Sequence, residues 1–114
     1  MRYYILRTNL KTGENSNKLL KGYNFKINNL NAERLISDAK DEDIFYLLYN
    51  IAEKKFIEQG LIKTIESNNP SYKYEALFEN RVSLDIRYLP YSTPNCGIIP
   101  TSKNKIEELL NIAV

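Results

Sequence analysis

The sequence predicts one α+β domain over residues 1–114. Its core is a mostly antiparallel sheet of about five strands on one long helix, with a second helix at the C-terminus. Three observations carry this expectation. Short segments of apolar–polar alternation recur on both sides of a single long segment, residues 42–59, whose apolar residues fall on one helical face. The 114 residues suffice for one core, and no linker, repeat or low-complexity tract divides them. Hydrophobic residues at 43% and charged residues at 26% are globular proportions, which set aside a fibrous or wholly disordered chain.

Taken in order, the elements read β-β-α-β-β-β-α. Residues 2–9 are rich in aromatic and β-branched side chains, and alternation sets Tyr3 and Ile5 against Tyr4 and Leu6, as on a strand. Residues 11–18 (KTGENSNK) have turn chemistry, and Tyr23, Phe25 and Ile27 then form one face of a second strand, which together suggest an N-terminal hairpin. Asn31 is a good N-cap and Leu30 can staple onto Leu35, so a short helix is expected to about Ala39. Asp41 can cap a second helix, with Glu42 and Asp43 in the first turn where negative charge suits the macrodipole. This long core helix is expected from Glu42 to Gln59, ending at Gly60, with Ile44, Phe45, Leu47, Leu48, Ile51, Ala52 and Phe56 on its apolar face. Residues 61–66 read as a strand. Tyr72, Tyr74, Ala76 and Phe78 alternate with Lys73, Glu75 and Leu77 in the next, and Glu79-Asn80 is a candidate tight turn. Val82, Leu84, Ile86 and Tyr88 alternate with Arg81, Ser83, Asp85 and Arg87 in the last strand. Residues 90–100 hold three of the four prolines and cannot be regular throughout. Ile106, Leu109, Leu110 and Ala113 then give helical spacing over residues 102–113, capped by Thr101 or Ser102.

Composition narrows the chemistry. The absence of histidine removes the Ser-His-Asp and Cys-His nucleophiles, imidazole metal ligands and the only side chain that titrates unperturbed near neutrality. Cys96 is the single cysteine, so neither an internal disulfide nor a cysteine zinc cluster can form. No base lies near it in sequence to lower its pKa. Asp38, Asp41, Glu42 and Asp43 are the densest carboxylate cluster, but helix capping explains them and no calcium-loop spacing follows. Glu75 with Asp85-Ile86-Arg87 approximates the carboxylates and cation of a metal-dependent nuclease, with Arg where Lys is usual, and cross-strand charge pairing explains the same residues. A non-enzymatic protein without a cofactor or bound metal is therefore the expectation, and a nuclease the least favoured reading.

A lone cysteine points to a reducing compartment. The second cation, Arg7, comes too early for a signal-peptide apolar region, and no apolar stretch approaches the roughly 18–20 residues that cross a bilayer. A cytoplasmic location without membrane contact is expected. Asn, Ile, Lys and Tyr, all specified by A/T-rich codons, are abundant, which suits an AT-rich genome such as that of a virus or mobile element.

Two patches stand out as binding candidates. At helical spacing Tyr46, Tyr49, Asn50 and Glu53 form one stripe beside the apolar face, and tyrosine supplies large contact area with little entropy to lose. With Tyr91 as a second surface, this stripe suggests a small protein-interaction module, an inhibitor or adaptor for a protein partner. The alternative is nucleic-acid binding by the N-terminal hairpin, where Arg2, Arg7, Lys18, Lys21 and Lys26 are interleaved with Tyr4 and other rings. The net charge of +2 conceals this segment: residues 1–30 carry six cations and one anion, whereas residues 31–60 carry four cations and seven anions. Nothing in the sequence opposes self-association.

Overall fold

In a computed structural model, which describes residues 1–9, 30–66, 75–88 and 98–112, the chain is an α+β domain with a five-stranded, mostly antiparallel sheet. The elements are β1 (Arg2–Thr8), α1 (Leu30–Asp41), β2 (Ile44–Asn50), β3 (Lys55–Glu66), β4 (Glu75–Arg87), β5 (Ile98–Thr101) and α2 (Lys103–Ile112). Strand order is β4-β3-β2-β1-β5. β1 and β2 are parallel, Arg2 opposite Ile44 through Thr8 opposite Asn50, and the other three pairings are antiparallel. A parallel pair needs a crossover, and α1 lies in it.

Alternation along the strands builds two cores, one on each face. Tyr4, Leu6, Ile44, Tyr46, Leu48 and Ile62 pack with Leu35 and Ile36 of α1. On the opposite face Tyr3, Ile5, Phe45, Leu47, Tyr49 and Phe56 pack with Ile106, Leu109 and Leu110 of α2. The opposition of Tyr4 and Leu6 to Tyr3 and Ile5 expected from the sequence is thus realised, with a helix over each face. α2 starts as its sequence implies: Ser102 Oγ accepts the Lys105 amide at 3.2 Å, an N-cap bond.

The expected long helix over 42–59 does not form. Residues 44–50 are the central strand β2, residues 51–54 a turn, and β3 begins at Lys55. The physical reason lies in β2's position. A strand covered on both faces and paired on both edges is apolar at consecutive positions, so it loses the period of two and imitates a buried helix. Asn50 closes the turn, its Oδ1 accepting the Ala52 amide at 3.3 Å while Nδ2 donates to Glu53 Oε1 at 3.1 Å. The expected N-terminal hairpin is also corrected, because β1 has β2 on one side and β5 on the other and keeps no edge along Tyr3–Leu6 for another strand. Residues 23–27 lie outside the described residues, as do residues 72–74 of the expected fourth strand. The predicted Glu79-Asn80 turn is instead a kink inside one strand, where Asn80 adopts a left-handed φ of 52°. Asn tolerates that conformation better than other non-glycine residues, so turn chemistry here bends β4 without reversing it. Within the proline-rich segment, residues 98–101 form β5, an edge strand that accommodates Pro100.

Candidate protein-interaction surface

The buried polar groups satisfy one another. Glu58 is 4% exposed, and its carboxylate accepts bonds from Tyr46 Oη at 2.6 Å and Arg81 Nε at 3.0 Å on Oε2, and from an Arg81 terminal nitrogen at 2.8 Å on Oε1. A bulge sets this arrangement. Leu48 pairs with Glu58 and Tyr49 with Phe56, so Ile57 is passed over and both Ile57 and Glu58 turn to the α1 face. Burial, and then the bond to Glu58, push the Tyr46 hydroxyl well above its usual range, while the bonds to Glu58 raise Arg81. On the same face Tyr4 Oη donates to Asp38 Oδ2 at 2.6 Å, and burial followed by that carboxylate raises Tyr4 likewise. On the α2 face Tyr49 Oη donates to the Tyr88 carbonyl at 2.7 Å, and Phe56 stacks on Tyr88 with centroids 5.4 Å apart. These bonds tie β2 to β3 and β4, β1 to α1, and β2 to Tyr88. Among the described residues no group of three or more His, Cys, Asp or Glu is placed to hold a metal ion.

The expected tyrosine stripe is not a surface. Tyr46, Tyr49 and Asn50 are buried on β2, and Tyr46 and Tyr49 belong to opposite faces of the sheet, because strand alternation replaces the helical spacing that would have joined them. Glu53 is exposed in the following turn, bound to Asn50 and, at 2.9 Å, to Lys55. Tyr91 lies outside the described residues. Of the alternative nucleic-acid set, Lys18, Lys21 and Lys26 also lie outside them. Tyr4 is buried, so its ring offers no stacking platform. Arg2 is exposed beside Glu42 at 3.7 Å, and alternation puts Arg7 on the other face of β1, near the Tyr49 hydroxyl.

What the fold does expose is apolar area on β4. Leu77 is 51% and Val82 49% exposed. Leu84 and Ile86 pack in the α2-face core, and Val82, two residues before Leu84 on the same side, lies beyond that cluster. Towards the same end of the sheet Phe45 stands opposite Leu61, both half-buried, and the Lys63–Asp43 ion pair at 2.7 Å borders them. Among the described residues β4 is also an outer strand of the sheet and runs for 13 residues, whereas the other edge, β5, has four residues and a proline. Short strands and proline blunt an edge, and a long edge with apolar side chains invites pairing. The sequence carried one signal of this surface, since Leu77 is the apolar residue on the otherwise polar face of its alternating segment.

Among the described residues no helix is long and apolar enough to cross a membrane. Compared with protein-family models, curated proteins and solved structures, the chain matches none.

Proposed function

We propose that this protein is a non-enzymatic interaction module that binds a protein partner through the Leu77–Val82 part of β4. The observation that carries the reading is the pair of half-exposed large apolar side chains, Leu77 and Val82, on the long outer strand of the sheet. An outer strand recognises a partner through its main chain, and alternate side chains supply selectivity. The buried polar residues support the non-enzymatic side of this reading, because each of the three clusters ties one element to another. β3 is joined to β2 and β4 at Glu58, β1 to α1 at Asp38, and β2 to Tyr88 through Tyr49.

Site-specific photo-crosslinking tests it. A photoreactive amino acid replacing Leu77 or Val82 is expected to trap a discrete protein from the native host, whereas the same probe at exposed Glu107 on α2 is expected to trap none. Equal labelling at all three positions, or none at Leu77 and Val82, contradicts the reading. Binding should also be insensitive to salt. A steep log-linear salt dependence of oligonucleotide binding would favour the nucleic-acid alternative.

A further inference from the structure

We propose that a second copy of this chain pairs antiparallel with residues 84–88, continuing the sheet across a two-fold axis at Ile86. The site is separate from the Leu77–Val82 surface and shares with it only the outer edge of β4. Leu84-Asp85-Ile86-Arg87-Tyr88 is self-complementary when two copies run in opposite directions. Ile86 meets Ile86 of the second copy, Leu84 meets Tyr88 and, twice, Asp85 meets Arg87. Alternation keeps the two chemistries apart. Leu84, Ile86 and Tyr88 lie in the α2-face core and are only partly buried, and Asp85 and Arg87 stand exposed on the other face.

The charges in a single chain are unbalanced. Arg87 stands directly opposite Lys55 on β3, a like-charge cross-strand pair, and among the described residues it forms no ion pair. Asp85 serves Lys55 at 3.0 Å, yet its side chain remains 83% exposed and has acceptor capacity to spare. A second copy supplies each Arg87 with a carboxylate. Neighbouring registers fail on charge: an axis at Asp85 sets that carboxylate against itself, and an axis at Leu84 sets Arg81 against Arg87. The opposite edge of the sheet, four residues with Pro100, lacks the length for such pairing. Beyond Ser83 the strand kinks at Asn80, which limits the straight overlap. Five paired residues bury less than the roughly 800 Å² per partner of a standard interface, so the association is weak and reversible.

The test is sedimentation velocity of the whole chain from about 10 µM to about 500 µM at low salt. The wild type is expected to shift from monomer to dimer across this range, and less so in high salt. Arg87→Asp and Asp85→Arg are each expected to weaken dimerisation by about tenfold or more. Mixed in equal amounts these two variants should dimerise again, because every 85–87 contact in the heterodimer joins opposite charges. That rescue separates lost pairing from lost folding. A wild type monomeric throughout, single variants that dimerise as it does, or no rescue on mixing overturns the proposal. So does a dimer abolished by Leu77→Ser with Val82→Ser yet indifferent to the 85 and 87 charges.

Discussion

A methyl group at residue 60 has no room. Tyr46 lies across Gly60 from the paired strand, so a Cβ there meets the ring Cε1 and the hydroxyl at 2.9 Å and the Glu79 carbonyl at 3.0 Å. The ring cannot turn away freely, because its hydroxyl is held by Glu58 and its edge rests on Phe78 with centroids 5.1 Å apart. Gly60→Ala is therefore expected to destabilise the fold by about 1–3 kcal/mol in urea denaturation. Tyr46 also has a pH signature. Its hydroxyl and that of Tyr4 are raised first by burial and then by a carboxylate acceptor, and burial raises Tyr49. Unfolded tyrosines ionise near 10. Because the folded values are higher, the stability these groups contribute is fully present below pH ~10 and is lost as pH rises above it. The urea midpoint should fall above pH ~10, and Tyr46→Phe should make the fall shallower. An unchanged slope in that variant contradicts the assignment.

At the scale of elements, the strand pair β3–β4 is irregular at three places, and the pair of buried Glu58 with half-buried Arg81 lies within them. Removing Arg81 strips the buried Glu58 carboxylate of its cation although Tyr46 still donates to it, so Arg81→Ala is expected to cost about 3 kcal/mol, well above the loss of the solvent-screened Lys63–Asp43 bridge in Lys63→Ala. Comparing the two in thermal denaturation checks the ranking. These irregularities also mark where the sequence is hardest to read. α1 already includes Leu30, so Asn31 lies inside it and is not the cap expected from the sequence. β1, the Val82–Arg87 half of β4 and the capped α2 follow from patterns within each segment, namely alternation, Ser102 at a helix start and apolar residues at helical spacing. β2 does not. Ile44 to Tyr49 is an unbroken apolar run because β1, β3 and both helices surround it, and that information resides elsewhere in the chain. Its density of aromatic and β-branched residues was the available clue, with Asn50 to Lys54 as the turn. The tyrosine stripe failed with it, since helical spacing put on one side residues that a strand puts on two.

At the scale of the whole molecule, among the described residues two cores on opposite faces of one sheet enclose β2 and leave β4 as a long outer strand. The asymmetry of the edges, 13 residues against four, is what the interaction surface and the self-pairing both rest on. Only part of that surface was legible in the sequence. Leu77 stood out on its polar face, but exposure of Val82 depends on how far the α2-face core extends, which is a tertiary property. The central claim is that the outer edge of β4 is open in the isolated chain. Residue-resolved amide hydrogen exchange at low concentration tests this most directly. The account predicts that β2 amides exchange slowest, while along β4 the amides turned towards β3 are protected and those turned outward exchange rapidly. Protection of the outward amides of β4 equal to that of β2 in the dilute monomer would show a covered edge and contradict the account.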